Sequence, residues 1–413
     1  MNQEFVDVLI IGAGPAGSIA AAYLHQHQIQ TKVVEKMRFP RLVIGESLLP
    51  RSMDRFEEAG LLDALNAYDF QVKSGARFIR GNQVCEFDFS KKFGEGWDWT
   101  WQVPRADFDK AITDELQKKG VDIAFETEVT HVAIREDGSD ITVVDKTGVS
   151  SVIHAKYIID ASGYGRVLPR LLNLHDDSNL SPHSAIFSHT TETNRPAGRE
   201  GTQITFDILE TEVWLWVIPF SNGNTSIGIV GNTAYIEQLI QDAGSLDAAL
   251  KQAINRSDFY RERFRGHEFL FEPKLLKNYS TSVKKMFGKG YVLTGNSTEF
   301  LDPVFSSGVC FATESGALAA ELIIKEIQGK AVDWAVEYET YMKRGIYVFS
   351  TYVKEWYTGN LQELFFFQPE NPQVKEKICA VLAGYVWNEE NPFVKKHNKV
   401  IRNMAHLIKM SKA

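Results

Sequence analysis

The first 36 residues constrain the fold most strongly, because an apolar strand pattern, a glycine-rich turn and a helical pattern follow one another there. Gly12, Gly14 and Gly17 form a GxGxxG directly after the apolar run 8–11. The first glycine permits the tight turn, the second lets backbone approach a pyrophosphate, and the third lets the helix pack on the strand. Glu35 ends the next apolar run and can accept hydrogen bonds from ribose hydroxyls. The sequence therefore predicts a βαβ unit that binds a dinucleotide at a helix N-terminus.

Composition narrows the class of protein further. The formal net charge of the 413 residues is -8, which argues against a nucleic-acid partner. Three scattered cysteines are too few for a disulfide framework and fit a reducing cytoplasm, which is the expected location. The ten histidines are scattered, so no metal site is predicted. The first strand begins almost at the first residue and no apolar run approaches the ~20 residues of a membrane helix, so we expect no signal peptide and no integral membrane segment.

The order of strand and helix patterns predicts one interleaved α/β unit. Alternating segments after residue 120 return the chain to the nucleotide domain, and a strand-rich stretch from 183 to 275 predicts a separate antiparallel sheet. A long apolar helix from about 307 to 328 follows, and the remainder is helical and rich in aromatic residues. We therefore predict a discontinuous nucleotide-binding domain (1–182 and 276–330), a substrate-binding β-sheet domain (183–275) and a C-terminal helical region (331–413).

Three landmarks together resemble a known superfamily. The GxGxxG with its acid, the DASG that ends at Gly163, and TGNSTEFLDPVFSSGV around 300 are similar to the FAD-dependent monooxygenases with the aromatic-hydroxylase type of fold. The segments WLWVIP at 214–219 and FLDPVFSSG at 300–308 further resemble the flavin-dependent halogenases. Prenyl reductases of the geranylgeranyl type share much of this layout. The resemblance implies an α/β fold in which a Rossmann-type FAD-binding domain is interleaved with the antiparallel substrate sheet.

The resemblance implies FAD as cofactor and assigns residues to it. The fingerprint would hold the pyrophosphate, Glu35 the adenosine ribose, and the GES loop at 45–47 would run past the flavin. The implied FAD contacts are Gly12, Ala13, Gly14, Pro15, Ala16, Gly17, Glu35, Lys36, Arg41, Glu46, Ser47, Arg105, Val129, Asp160, Gly163, Gly295, Asn296, Pro303, Ser307, Gly308 and Val309.

Several of these residues have a purely structural interpretation as well. Arg105 can be a surface arginine capped by Asp107 or Asp109, and Val129 can be an ordinary buried strand valine. The GES loop can be a polar turn. Asn296 stands where many hydroxylases have an acid that contacts the ribityl chain, so recognition of the ribityl chain differs here.

The chemistry that the halogenase resemblance implies depends on a lysine and a halide. Reduced FAD and O2 would convert halide to hypohalous acid, which Lys73 would deliver to an electron-rich ring. Halide would bind at the backbone N–H groups near Ser307 and Gly308, where a helix begins. Trp214 and Trp216 alternate on one strand and would line the substrate pocket, although two core tryptophans fit the same pattern. The alternative for Lys73 is a surface lysine at a strand end.

Four functions remain open from the sequence. The first is a halogenase that acts on a small or carrier-bound aromatic substrate, with halide as co-substrate. The second is a monooxygenase that hydroxylates without halide, the third a prenyl reductase that uses no O2, and the fourth an FAD-binding protein without catalysis. A second dinucleotide fingerprint is missing from the sequence, which implies either a separate flavin reductase or transient contact with NAD(P)H.

Overall fold

The computed structural model describes residues 3–412, and two β-sheets with helices on their outer faces account for most of the chain. The strands are β1 (Gln3–Ile11), β2 (Thr31–Val34), β3 (Gln71–Lys73), β4 (Gly75–Arg80), β5 (Gln83–Asp88), β6 (Thr100–Gln102), β7 (Asp122–Ala124), β8 (Thr127–Ile134), β9 (Ser139–Asp145), β10 (Ser150–Asp160), β11 (His175–Asp176), β12 (His183–Thr191), β13 (Thr205–Glu210), β14 (Val213–Pro219), β15 (Asn224–Asn232), β16 (Lys274–Leu276), β17 (Ser282–Val283), β18 (Phe287–Gly288) and β19 (Tyr291–Leu293).

The helices lie between and after these strands. They are α1 (Pro15–Gln26), α2 (Arg51–Glu58), α3 (Leu62–Asn66), α4 (Arg105–Lys118), α5 (Val167–Leu171), α6 (Arg199–Thr202), α7 (Thr233–Ala243), α8 (Leu246–Arg256), α9 (Ser307–Ile327), α10 (Tyr341–Tyr357), α11 (Asn360–Phe365), α12 (Pro372–Leu382), α13 (Pro392–Lys395) and α14 (His397–Lys412). A π-helical segment, Trp334–Thr340, leads into α10.

The first sheet holds the predicted βαβ unit. Its parallel centre runs β19-β10-β1-β2-β7, and the β8–β9 hairpin joins β10 antiparallel. The apolar run of β1 is buried on both faces, as parallel strands covered by helices require. Helix α1 contains four alanines and packs closely against α9, and both helices lie against this sheet.

The second sheet is larger than the sequence predicted. Its order is β16-β12-β15-β14-β13-β4-β5, and β4 pairs parallel with β13. Residues 75–88 therefore belong to the substrate sheet and not to the nucleotide-binding domain, in which the predicted boundaries 1–182 include them. Phe78 on β4 stacks on Phe206 of β13 with ring centroids 4.8 Å apart, a contact between distant segments that no local pattern reveals.

The C-terminal region is helical, as predicted, and covers the substrate sheet and α9. Trp356 of α10 and Phe365 of α11 pack on Phe78, with centroid distances of 5.5 Å and 4.8 Å. Helix α9 is long and apolar enough to cross a membrane by length and composition, which differs from the sequence expectation, but most of it is buried inside the protein as a core helix. The helical segment after residue 51 is divided into α2 and α3 at Gly60, which has a φ of 64°.

Candidate flavin site and its substrate end

A cavity of about 370 Å³ is lined by both sheets and by the start of α9. Most of the predicted residues lie in its wall. From the predicted FAD contacts these are Gly12, Gly14, Pro15, Ala16, Glu35, Lys36, Arg41, Glu46, Ser47, Arg105, Val129, Gly163, Gly295, Asn296, Pro303, Ser307, Gly308 and Val309, and from the predicted substrate pocket Trp214 and Trp216. They come from segments as far apart as residues 12 and 309, so the fold brings the separate sequence motifs to one place.

Four predicted residues lie outside this wall. Ala13 lies in the turn and Gly17 in the first turn of α1 behind the wall, and Asp160 and Lys73 are buried beyond it. The Asp160 carboxylate accepts hydrogen bonds from the backbone N–H of Ser162 (2.9 Å) and of Leu168 (2.7 Å). In the structure this carboxylate fixes the turn after β10 and the start of α5. The DASG motif therefore predicts the position of the turn correctly, but the Asp160 side chain does not face the cavity.

The glycines of the fingerprint are required by close backbone contacts. A Cβ atom added at Gly12, which has a φ of 101°, would lie 2.5 Å from the carbonyl oxygen of Ala161. A Cβ atom at Gly17 would lie 2.0 Å from the carbonyl oxygen of Gly12. Helix α1 then begins at the cavity wall after Gly14 without a side-chain cap, so its first N–H groups stay available to a ligand. This cradle fits a pyrophosphate.

Glu35 is held in place by backbone hydrogen bonds. Its Oε2 accepts from the N–H of Ala13 (2.9 Å) and its Oε1 accepts from the N–H of Met37 (2.8 Å). Each carboxylate oxygen retains a lone pair for a further donor. The carboxylate is therefore fixed at the edge of the fingerprint, where ribose hydroxyls of a dinucleotide would lie.

Two arginines share one aspartate beside the cavity. Arg105 binds Asp109 through Nε (2.9 Å) and Nη2 (3.0 Å), and its Nη1 donates to the carbonyl oxygen of Ile44 (2.7 Å). Arg41 Nη1 is 3.1 Å from Asp109 Oδ2 but is buried without a hydrogen bond. Burial lowers the pKa of Arg41, and the nearby carboxylates only partly oppose this effect. Arg105 thus supports the GES loop, while Arg41 lines the cavity with its Nη2 beside Gly14, where a guanidinium can contact a phosphate.

The start of α9 forms the opposite wall. Ser306 has the left-handed conformation (φ 55°, ψ 26°) and caps no helix N–H with its side chain. The N–H groups that follow, at Ser307, Gly308 and Val309, therefore have no partner within the helix, and all three residues line the cavity. Such a helix start favours negative charge, either on an isoalloxazine ring or on an anion.

Lys73 is buried one side chain behind the cavity wall. Strand β3 pairs antiparallel with β6 and sets Lys73 opposite Thr100. The lysine Nζ donates to Ser47 Oγ (2.8 Å) and to the carbonyl oxygen of Leu48 (2.8 Å). Desolvation lowers the pKa of Lys73 to about 7. A buried amine of this kind is partly neutral at physiological pH, which separates Lys73 from an ordinary strand-end lysine.

The substrate sheet contributes an aromatic wall. Phe206, Trp214 and Trp216 line the cavity, and the two tryptophans point to the same face of β14, as predicted. Trp216 Nε1 donates to Ser226 Oγ (3.1 Å). The Trp216 ring packs directly on Gly228, where a Cβ atom would lie 2.4 Å from the ring. The wall is therefore rigid and apolar.

A hydrogen-bond network that the sequence did not reveal closes this end. Asp302 is fully buried, lines the cavity, and its Oδ2 accepts from the hydroxyls of Tyr279 (2.8 Å) and Tyr357 (2.9 Å). The Tyr357 hydroxyl also accepts from Trp214 Nε1 (3.2 Å). Burial raises the pKa of Asp302. Tyr357 lies in the predicted helical tail, so the C-terminal region reaches the cavity wall.

A buried carboxylate–imidazole contact lies near the GES loop. Glu46 Oε1 is 2.6 Å from His189 Nε2, which joins this loop to β12 of the substrate sheet. His189 was not singled out from the sequence, since nothing near it in the chain marks it. Among residues 3–412, no group of His, Cys, Asp and Glu side chains is arranged to hold a metal ion.

Comparisons with known proteins agree with this geometry. The family model described as FAD binding domain matches residues 5–175. A crystal structure of a flavoprotein/dehydrogenase from Cytophaga hutchinsonii superposes with a TM-score of 0.96 at 46% identity, covering 99% of this chain and 100% of that one. The fold and the site therefore define an FAD-dependent oxidoreductase.

The comparisons also show similarity to flavin-dependent halogenases. A 1H-pyrrole-2-carbonyl-[peptidyl-carrier protein] brominase of Pseudoalteromonas luteoviolacea (strain 2ta16) is 27% identical over 92% of this chain and 91% of its own length. The structure of the flavin-dependent brominase Bmp2 superposes with a TM-score of 0.84 at 26% identity, covering 98% of this chain and 100% of that one. This chain therefore belongs to the superfamily of FAD-dependent flavoproteins that includes these flavin-dependent halogenases.

Proposed function

We propose that this flavoprotein halogenates an electron-rich aromatic ring, presented as a small molecule or on a carrier protein, and that Lys73 transfers the halogen. The observation that carries the proposal is the buried Lys73 amine, which contacts Ser47 in the wall of the cavity. The related brominase, whose name specifies a pyrrole-2-carbonyl group on a carrier protein, supports an aromatic acyl substrate.

FAD, when bound and reduced, supplies two of the electrons that reduce O2, and a halide ion supplies the other two as it becomes hypohalous acid. The N–H groups at the start of α9 would hold the halide, because an anion is stabilised where helix N–H groups lack partners.

Lys73 would receive the halogen as a neutral amine. With a pKa of about 7, a large share of the amine carries a free lone pair at neutral pH. Attack of this nitrogen on the halogen of hypohalous acid forms an N–halogen bond and releases water. The ring then takes the halogen and the amine recovers its proton. Ser47 accepts a hydrogen bond from Lys73, so its own hydroxyl proton can be donated toward the cavity.

The aromatic wall would orient the substrate ring. Phe206, Trp214 and Trp216 provide flat apolar surfaces against which another aromatic ring can stack. The Asp302–Tyr357–Trp214 hydrogen bonds hold Trp214 in one orientation. Positioning of this kind, with water excluded, is the contribution that a protein makes to the chemistry of its cofactor.

A second candidate is an FAD-dependent oxidoreductase that uses no halide. Two observations favour it: the Cytophaga hutchinsonii protein, described as a flavoprotein/dehydrogenase, is the more similar in sequence of the two solved structures above, and Lys73 does not itself line the cavity. The FAD site is common to the two candidates, so only the reaction separates them.

Turnover with and without bromide tests the proposal. The FAD-loaded protein would be incubated with a flavin reductase, NADH, O2, phenols, pyrrole-2-carboxylate and a pyrrole-2-carbonyl carrier thioester, and products identified by mass spectrometry. We expect monobrominated product that requires bromide. Oxygenated product formed equally with and without bromide would overturn the halogenase proposal.

A further inference from the structure

We propose that α14 and the turn before it form a docking surface for an acidic carrier protein that presents the aromatic acyl group as a thioester. This inference rests on the proposed function and adds the partner and the face that it binds. The observations that carry it are the charge of the C-terminal segment, its exposed side chains and its packing behind the substrate end of the cavity.

The positive charge of the chain is concentrated at its end. Residues 391–413 contain six of the 45 Lys and Arg residues and none of the 53 Asp and Glu residues. The other 390 residues therefore hold 39 basic against 53 acidic side chains, a net charge of -14. A basic segment on an acidic protein selects an acidic surface and steers its approach.

The exposed side of α14 is a continuous stripe. It consists of Lys399, Asn403, His406, Leu407 and Met410, with Leu407 64% and Met410 63% exposed, and Lys396 in the turn before the helix extends it. Arg402 and Lys412 pair with Glu355 and Glu363. Within residues 3–412 no carboxylate lies within salt-bridge distance of the lysines at 395, 396 and 399, so these three charges are available to a partner.

This surface is joined to the substrate end of the cavity rather than to the nucleotide end. Helix α14 packs on α11, and Lys409 Nζ donates to Asn360 Oδ1 (2.7 Å) at the first residue of that helix. Phe365 at the other end of α11 contacts Phe78, which stacks on Phe206 in the cavity wall. A partner bound here therefore lies on the side of the molecule that carries the substrate end, with the packed rings of Phe365 and Phe78 between it and the cavity.

An apolar groove beside the stripe offers the partner a hydrophobic contact in addition to the ionic contacts of the lysines. The groove, about 270 Å³ in volume, lies between β5 and helices α11, α12 and α14 and is lined by Phe87, Phe365, Val374, Met404 and Leu407, among others. An apolar side chain surrounded by acidic residues on a helical partner would fill it. Binding sites commonly combine such a buried anchor with a charged rim.

The same features disfavour a membrane as the occupant. The apolar side of α14, with Ile401, Ala405 and Ile408, is buried against the protein, so two exposed apolar side chains remain for insertion. A helix that binds membranes keeps a whole apolar face for the lipid.

Reversing the free charges tests the docking surface. FAD-loaded, full-length K395E/K396E/K399E would be compared with wild type and with K118E/K146E/K289E, in which three exposed lysines of the nucleotide-binding half are reversed. The probe is a purified acidic peptidyl carrier protein loaded with pyrrole-2-carbonyl, titrated at low and high salt. We expect the tail variant to bind at least about 10-fold more weakly, the matched control to bind like wild type, and FAD content to be equal in all three proteins.

Turnover provides the second readout. We expect KM for the carrier thioester to rise about 10-fold or more in the tail variant, while kcat/KM for the same acyl group on pantetheine alone stays unchanged. Equal binding of the carrier by wild type and the tail variant would overturn the proposal. So would binding of the wild type to phosphatidylserine vesicles but not to the carrier, or a dimer of this chain that the tail variant cannot form.

The binding titration requires neither halide nor O2, so it separates this inference from the proposed function. Carrier binding that the tail substitutions abolish, without halogenation of any substrate, would refute the halogenase proposal and retain the docking surface. Halogenation of free substrates without carrier binding would refute the docking surface and retain the halogenase proposal.

Discussion

The two ends of the cavity are built in opposite ways. The nucleotide end is formed mainly by backbone groups of short stretches of chain. These are the segment from Gly12 to Gly17, the N–H groups that fix the Glu35 carboxylate, and the uncapped start of α1. The substrate end consists of side chains from segments far apart, with Phe206, Trp214, Asp302 and Tyr357 as its main members. Local chain geometry thus specifies the cofactor, whereas tertiary packing specifies the substrate.

Gly17→Ala should break the nucleotide end alone and have the largest effect. The new Cβ atom would meet the Gly12 carbonyl oxygen at 2.0 Å, so the turn and α1 must move apart. We expect the affinity for FAD to fall at least about 100-fold. Absorbance after gel filtration measures the FAD that stays bound to the protein. Gly345→Ala is the matched control, because its Cβ atom would be crowded to a similar degree, 2.5 Å from the Trp387 ring, but outside the cavity wall. Equal loss of FAD in the two variants would contradict the backbone account.

Lys73→Met tests whether the amine between the two ends is as strongly desolvated as its burial indicates. The unfolded lysine binds its proton up to about pH 10.5, whereas the folded one loses it near pH 7. The unfolded state therefore binds more protons between pH 7 and 10.5, and the stability of the wild type rises with pH in that window.

We expect the wild type to gain about 2 kcal/mol of unfolding free energy relative to Lys73→Met between pH 7 and pH 9. Urea unfolding at several pH values measures this difference. A constant difference between the two proteins over that range would show that the Lys73 amine is not perturbed.

Trp214→Leu should impair the substrate end and leave the nucleotide end intact. The substitution removes an aromatic surface of the cavity and the hydrogen bond to Tyr357. We expect kcat/KM for aromatic substrates to fall about 10-fold, which corresponds to about 1.4 kcal/mol, with normal FAD content. Trp101→Leu removes a buried tryptophan outside the cavity wall and controls for lost packing. An equal fall in kcat/KM for Trp101→Leu would show that Trp214 does not contribute to substrate binding beyond its packing.

Tyr357→Phe should have the smallest effect, because it removes a single hydroxyl from the network around Asp302. A lost hydrogen bond of this kind costs about 1 kcal/mol. We expect a several-fold rise in KM with unchanged FAD affinity. Tyr352→Phe, whose hydroxyl makes only a 3.4 Å contact to the backbone, should behave like wild type. A loss of FAD in Tyr357→Phe would show that the two ends are not separable.

The same division explains what the sequence could predict. Gly12, Gly17 and Glu35 act through local geometry, and their spacing alone predicts the pyrophosphate turn and the ribose carboxylate. The alternation of Trp214 and Trp216 correctly predicts a shared face, because side chains on a strand alternate. The long helix from residue 307 was predicted within one residue at each end.

The contacts that were missed depend on tertiary packing. Nothing near His189 in the chain indicates that it meets Glu46, and nothing near Tyr357 indicates that it reaches Asp302. The assignment of β4 and β5 to the substrate sheet depends on β13, more than 100 residues later. Lys73 was singled out as a residue, but its position behind Ser47 and its lowered pKa follow from the fold.

The most direct test of the account is whether Lys73→Met separates oxidation of bromide from bromination of the ring. Product and trapped hypobromite would be measured with FAD, a flavin reductase, NADH and bromide, with the exposed Lys91→Met as matched control. We predict that bromination by Lys73→Met falls at least about 100-fold, while hypobromite forms at the wild-type rate and Lys91→Met behaves like wild type. Bromination by Lys73→Met at the wild-type rate would contradict the account.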